Sequence, residues 1–451
     1  MIDPRSLLVI GGTAAGLSAA SKAKRLDPSL QVTVFEKTGY ISYGACGLPY
    51  FVGGLIEDPE DLVSVSAQVM REKRGIEVKT LTEVLSIDRM NKSIVARDLA
   101  TGLETAYGYT FLVIATGASP IIPPIEGLRA EGVCVLRNVE DGIHMRALAR
   151  QSRRACIIGG GFIGLELAEE LTQVGLKVTL VEALDRLLPF LPESFSEKVR
   201  QHLEMHGVDV FLGSTVKRLE QKDGKVSAVV DSTMRSIPTE MVVLSVGVRP
   251  ASSLAQEAGL ALGFRGGIVV DGQQRTGDSA IWACGDCVQM YHLVTGKPTY
   301  VPLGTTANKM GRVAGSDIGG ERARFPGVLG SQVTKVFDLY IAATGLSFEE
   351  AVRNGYDVQH SSITKADKAS YYPGGKQNHI NLVFEKTSGR LLGAQAVGSE
   401  SVAGRINVLA ACITAGFTLE QVNDLDLVYA PPVAPVYDPI LIAASQAMKV
   451  V

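Results

Sequence analysis

Three features of this 451-residue chain have the residue types and spacing to do chemistry: one cysteine in a glycine-rich loop, two glycine turns, and an acid following each turn. Cys46 lies in Gly44-Ala45-Cys46-Gly47, ten residues past Glu36. A loop of this kind opening a helix lowers a thiol's pKa, because the helix N-terminus favours the thiolate. Cys46 is therefore expected to be a nucleophile with a depressed pKa. Gly159, Gly161 and Gly164 complete a G-x-G-x-x-G turn, and Glu182 falls 18 residues after Gly164. Such a turn at a helix start lets backbone N–H groups approach a pyrophosphate, which the helix end favours electrostatically. An acid at this distance can bind a ribose 2′-hydroxyl and repels a 2′-phosphate, so NADH is preferred over NADPH, with Arg186 close enough to soften the preference. The earlier turn keeps Gly11, Gly12 and Gly16 but has Thr13 in the middle position, and Glu36 follows Gly16 by 20 residues.

The elements that must hold these groups form an internal repeat. Ser6–Ile10 and Ala155–Ile158 are short apolar runs that enter the two turns. Each turn is followed by a helical pattern, to Leu26 and to Val174, and then by an apolar strand that ends at Glu36 or Glu182. Both read as the opening of a nucleotide-binding parallel α/β sheet. Two dinucleotides on one chain imply a flavoprotein fed by a nicotinamide. Thr116-Gly117 closes a strand over Thr110–Ala115, and Asp286 follows Ile281–Ala283, where it can hydrogen-bond a ribitol chain. Pro302–Asp317 reads as a helix. From about residue 328 the texture changes to short strands (Val333–Phe337, Ile380–Phe384) and a helix near Asn407–Ala415, a separate α+β domain. Cys284-x-x-Cys287 has no second pair to complete a zinc site, so no metal is expected there or elsewhere. Cys134, Cys156 and Cys412 sit in apolar settings suited to packing.

Composition narrows the class. Lys plus Arg is 44 against 47 for Asp plus Glu, a net charge of −3, without the basic excess a nucleic-acid binder needs. An apolar fraction of 46% excludes a disordered chain. Six cysteines are too few for a disulfide scaffold and fit a reducing compartment. No apolar run approaches the roughly 20 residues of a membrane span, and no secretory signal is present, so a cytoplasmic protein without membrane association is expected.

The segment Ser42-Tyr43-Gly44-Ala45-Cys46-Gly47-Leu48-Pro49-Tyr50 resembles the active-site loop of the single-cysteine pyridine nucleotide–disulfide oxidoreductases. Gly11–Gly16, Ala115-Thr116-Gly117, Gly159–Gly164, Thr276–Asp286, Pro302–Gly311 and Tyr429-Ala430-Pro431-Pro432 carry the likeness across the chain. The branch is that of coenzyme A-disulfide reductase and the NAD(P)H-dependent polysulfide or CoA-persulfide reductases. The resemblance implies an α/β fold with two Rossmann-like domains: residues 1–118 with 248–325 for FAD and 119–247 for NAD. A C-terminal α+β dimerisation domain would cover 326–451. It implies an FAD-dependent NADH oxidoreductase acting on a small-molecule sulfur substrate (CoA-disulfide, CoA-persulfide or polysulfide), with coenzyme A able to be held at Cys46. The cofactor contacts it implies are Gly11, Ala14, Ala15, Gly16, Glu36, Lys37, Ser42, Val84, Ala115, Thr116, Gly117, Asp286, Leu303, Ala307, Gly159, Gly161, Phe162, Ile163, Gly164, Glu166, Glu182 and Gly247.

Phe51 stands where two-cysteine relatives carry their second cysteine, so oxidised Cys46 would be a mixed disulfide, a sulfenate or a persulfide. Sulfenate-using oxidases and peroxidases carry a His where this chain has Ala14, which favours a sulfur substrate over peroxide. By the same resemblance Tyr371 and Tyr429 reach across a homodimer to the partner's active-site sulfur. Lys22, Arg25 and Arg71 are the CoA-phosphate candidates. Val433-Ala434 replaces the Phe-Ser often found after the two prolines, a departure at the substrate end. Two other readings stay open: an NADH oxidase reducing O2, and a flavin reductase feeding an electron-transfer protein.

Overall fold

A computed structural model describes residues 5–450. Its first unit opens with β1 (Ser6–Ile10), α1 (Ala14–Leu26) and β2 (Gln31–Phe35), then reaches the short helix α2 (Leu48–Gly53). The sheet runs Ile281–Ala283, Phe111–Ile114, β1, β2, Ile76–Lys79, all parallel. Leu7 to Ile10 are all buried, as befits a central parallel strand covered on both faces.

The second unit repeats this plan. β3 (Arg154–Ile158), α3 (Phe162–Gln173) and β4 (Lys177–Val181) sit in a parallel sheet ordered Asp209–Phe211, β4, β3, Met241–Leu244, Val133–Cys134. Register repeats too: Ser6 opposes Gln31 through Ile10 opposite Phe35, and Arg154 opposes Lys177 through Ile158 opposite Val181. Helix α4 (Glu193–Met205) covers this unit. The chain crosses between the two units along an antiparallel pair, Ala118–Pro120 with Val248–Pro250. It then runs through α5 (Gly304–Ile318), which packs on α1.

The third unit is an antiparallel five-stranded sheet. β5 (Gln332–Val336) and β6 (Leu339–Gly345) form its edge hairpin, followed in space by Leu391–Gly398, Gln377–Glu385 and Val358–Ala366. Helices α6 (Ser401–Ala415) and α7 (Pro439–Ala447) pack on it. Arg405 of α6 makes a buried pair with Asp438, which also accepts the Ile440 N–H at the start of α7. Val336, Ile341 and Val397 join the core of the second unit, so the edge hairpin is built against the second sheet. Among the described residues no helix is long and apolar enough to cross a membrane.

The expected helix at Pro302–Asp317 begins two residues later, and the expected strand Val333–Phe337 stops at Val336 because Phe337 turns into the left-handed region at φ +53°.

Candidate active site

Both glycine turns are built alike. Gly11 and Gly159 have φ of +111° and +109°, and a Cβ on either would lie 2.2 or 2.3 Å from a carbonyl oxygen of the neighbouring strand, Ala115 or Ser245. A side chain there is excluded by backbone torsion and by contact. The acids brace the same turns. Glu36 accepts the Gly12 N–H at 2.8 Å and the Thr38 N–H and hydroxyl. Glu182 accepts the Gly160 N–H at 2.7 Å and the Leu184 N–H at 2.8 Å.

Helices α1 and α3 begin without a side-chain cap and without an acid in the first turn. Helices starting at Val139, Phe348 and Leu419 all carry full capping boxes. The bare ends therefore leave N–H donors free toward the cleft they border, the arrangement that receives an anion.

That cleft is continuous, about 2600 Å³, and Ala14, Ala15, Cys46, Glu166, Gly161 and Asp286 all line it. Ala115, Gly117, Gly159, Phe162, Ile163, Glu182, Gly247, Leu303 and Ala307 line it as well. Asp286 Oδ1 and the Tyr300 hydroxyl are buried in it without hydrogen-bond partners. Buried polar atoms are rarely left unpaired. The bare ends of α1 and α3, orphaned acceptor and hydroxyl atoms and an elongated cleft suit a bound FAD beside α1 and a dinucleotide beside α3.

The cysteine loop is strapped to the first turn. The Ser42 N–H donates to Gly12 O and the Gly44 N–H to Leu62 O, each at 2.9 Å, with Ser42 at φ +51°. Leu48 and Phe51 then anchor the start of α2 in a small apolar cluster with Leu62 and Val139. Cys46 is left exposed to the cleft in a single 3-10 turn, Ala45–Gly47. All six cysteines are unpaired and the other five are buried. Cys284 and Cys287 do not bridge; the Cys287 thiol donates to the carbonyls of Ile114 and Cys284.

The expectation of a depressed Cys46 pKa is overturned in the chain on its own. Crowding by protein pushes the thiol up, and the carboxylates of Glu166 and Asp286 push it further, against only Arg137. One short turn cannot offset partial desolvation plus two nearby negative charges. Asp286 itself is raised by burial and opposed by Arg137, whose Nη2 lies 3.4 Å from Asp286 Oδ2.

Two adjacent residues of β5 organise the acids of α3. The Thr334 hydroxyl donates to Glu166 Oε1 at 2.7 Å, and Lys335 pairs with the buried Glu169. Burial, then the neighbouring Glu169, pushes Glu170 up to about 7. Burial and the same acids raise the Tyr50 phenol to about 12.

Other expected site residues lie outside the lining. Gly16 and Gly164 are packing positions, each with a Cβ that would meet the carbonyl of Gly11 or Gly159. Thr116 donates to Ala251 O at 2.6 Å. Val84 packs against the first core, and Lys37 is exposed. Of the CoA-phosphate candidates, Lys22 is paired with Glu321 and Arg71 with Glu77, so neither cation is free in the single chain. Arg25 is exposed and makes no ion pair among the described residues. Tyr371 and Tyr429 share a hydroxyl–hydroxyl hydrogen bond of 2.9 Å, are exposed, and do not line the cleft of their own chain. Arg186, expected near the ribose, is turned away toward Pro189 O and Glu349. Sequence reasoning missed Arg137, Tyr300, Thr334 and Lys335. Nothing local marks them: Arg137, Thr334 and Lys335 each act on a residue far away in the chain, and Tyr300 is set apart only by its buried, unpartnered hydroxyl.

Two domain models match the chain: pyridine nucleotide-disulphide oxidoreductase over residues 5–311 and the dimerisation domain of the same family over 331–439. The chain is 38% identical over 447 residues to a protein of Pyrococcus abyssi named NAD(P)H sulfur oxidoreductase (CoA-dependent), covering 98% of this chain and 97% of that one. It is also 38% identical over 445 residues to the NAD(P)H coenzyme A polysulfide/persulfide reductase of Pyrococcus horikoshii, with 98% of each chain covered. Among solved structures, the NAD-dependent persulfide reductase from A. fulgidus superposes with a TM-score of 0.96 at 41% identity, over 98% of this chain and 83% of that one.

Proposed function

The chain belongs to the pyridine nucleotide-disulphide oxidoreductase family, and from that membership we propose that it is an FAD-dependent NADH oxidoreductase that reduces a sulfur–sulfur bond through Cys46. The observation that carries this reading is the position of Cys46, exposed in the cleft that both glycine turns border, without a cysteine partner in its own chain. An unpaired thiol there is placed to bond to a sulfur brought by the substrate. We assign 1–118 with 248–325 to FAD, 119–247 to NADH and 326–451 to dimerisation; the strand pair at 118–120 and 248–250 supports the first two boundaries.

When bound, FAD supplies the two-electron relay between NADH and the oxidised cysteine. The chain's residues do the rest. The bare ends of α1 and α3 receive the two pyrophosphates, and Glu182 meets the ribose of NADH. The Cys46 thiolate attacks one sulfur of a CoA-disulfide, CoA-persulfide or polysulfide; the Cys46–sulfur bond forms as the substrate S–S bond breaks, and the departing sulfur leaves as a thiolate or sulfide. That leaving group takes a proton, for which we propose the Tyr371–Tyr429 hydroxyl pair of a second copy of this chain. Their exposure and mutual hydrogen bond support this role. Overall, one NADH and one proton reduce one disulfide to two thiols. The relatives' printed names support coenzyme A as the carrier of the sulfur, and Arg25 is the one unpaired cation among the three phosphate candidates.

The test is Cys46→Ser. Sulfur-substrate reduction should be abolished while NADH-dependent dye reduction persists. Equal loss of both activities would sink the assignment. Oxygen consumption matching sulfur turnover would instead favour the NADH oxidase reading, and activity gained only on adding a redox protein would favour the flavin reductase.

A further inference from the structure

Away from the cleft, the C-terminal end of α4 meets the turn that joins β5 to β6. His202 lies in the last turn of α4 and His206 is the residue that caps it, and the two imidazoles meet with ring centroids 4.5 Å apart. Asp338 sits in the facing turn. One ligating atom from each of the three residues lies within 4.8 Å of the others. His202 Nε2 is already 3.1 Å from Asp338 Oδ1. A tetrahedral site with bonds of about 2.0 Å spaces its ligand atoms by about 3.3 Å, close to the His202–Asp338 separation.

Two independent features prime the cluster. His202 Nε2 is buried and faces Asp338 Oδ1, so both groups already point at one spot. His206 Nδ1 lies 2.8 Å from the carbonyl oxygen of His202. A carbonyl only accepts, so the proton belongs on Nδ1 and the lone pair stays on Nε2, the arrangement that orients a metal-binding imidazole. The other oxygen of Asp338 takes a hydrogen bond from Lys376 Nζ at 2.8 Å, which holds the carboxylate in place. The His206 ring also stacks on Phe337, centroids 3.9 Å apart.

We propose that His202, His206 and Asp338 form a site for a borderline first-row divalent cation, typified by Zn2+, that ties α4 of the NADH unit to the edge hairpin of the dimerisation unit. Two imidazole nitrogens and one carboxylate leave a fourth position for water and do not suit Mg2+ or Ca2+, which take oxygen ligands. This site lies outside the cleft, and its test is independent of the reading above.

The experiment measures Zn2+ uptake by equilibrium dialysis on FAD-loaded protein carrying Cys46→Ser, which removes the competing thiol. The expected result is one Zn2+ per chain with micromolar affinity. Asp338→Asn and His206→Gln, each close in shape to the residue replaced, should weaken uptake by about tenfold or more while keeping FAD content. Zn2+ should also raise the thermal midpoint of the Cys46→Ser protein and leave both further variants unmoved. Co2+ should give visible bands to the red of the flavin without a thiolate charge-transfer band. Failure of the Cys46→Ser protein to take up Zn2+, equal uptake by all three proteins, or a thiolate band with Co2+ would each overturn the proposal.

Discussion

Replacing Gly161 and Gly164 one at a time separates a glycine needed by the ligand from a glycine needed by the fold. At Gly161 the backbone is extended, φ −79° and ψ −178°, and no atom lies within 4 Å of an added Cβ. Alanine meets no steric cost there in the free protein, and the about 0.4–1 kcal/mol it gains through the unfolded chain offsets its poorer fit as the N-cap of α3. At Gly164 an added Cβ would lie 2.1 Å from Gly159 O and 3.4 Å from Ser245 Oγ. Forcing β3 and α3 apart there costs about 1–3 kcal/mol. Ligand binding should reverse the order of severity. A methyl at Gly161 stands where a pyrophosphate must reach the turn's N–H groups, and losing one charge-assisted hydrogen bond costs about 1.5–3 kcal/mol. That corresponds to roughly 10- to 100-fold in NADH affinity. The assay is anaerobic stopped-flow reduction by NADH across a concentration series, with thermal midpoint and FAD content measured on the same samples. Gly161→Ala should keep its midpoint and FAD and lose NADH affinity; Gly164→Ala should melt several degrees lower. If Gly161→Ala binds NADH within about twofold of the parent, the bare end of α3 is not the pyrophosphate site and the reasoning fails.

Three further outcomes follow from the same geometry. Glu182→Gln removes a negative charge beside the ribose while Arg186 stays tied to Glu349, so NADPH use relative to NADH should rise by roughly tenfold in paired steady-state assays. Glu166→Gln removes a carboxylate that raises the Cys46 thiol. Because the thiolate is the reactive form, activity on the sulfur substrate is lost as pH falls through the thiol's pKa, and in this variant that acid limb should move to lower pH; a shift to higher pH contradicts the charge argument. Asp438→Asn leaves the buried Arg405 without its charge and should destabilise the dimerisation unit by about 3–5 kcal/mol, read from chemical denaturation.

The nucleotide-binding framework was legible because its constraints are local. A glycine turn at positive φ, an apolar strand entering it and an acid leaving the next strand all lie within about 30 residues of chain. Pattern alone therefore placed β1, α1, β2 and their repeat at β3, α3 and β4, together with Cys46 in a glycine-rich loop ten residues past Glu36. The His202-x3-His206 spacing is equally visible in the sequence, but its third member, Asp338, arrives from another unit.

What only the tertiary structure decided is the electrostatic state of the site. The direction of the Cys46 pKa depends first on burial of the thiol and then on Glu166, Asp286 and Arg137, contributed by three distant stretches of chain. Thr334 and Lys335 reach the acids of α3 only because the third sheet packs its edge hairpin on the second unit. Lys22 and Arg71 look like free phosphate ligands in the sequence and are paired with Glu321 and Glu77 once folded. Backbone geometry at a turn follows from neighbouring residues, whereas a charge's environment is a sum over everything the fold brings within a few ångströms, and that sum cannot be read along the chain.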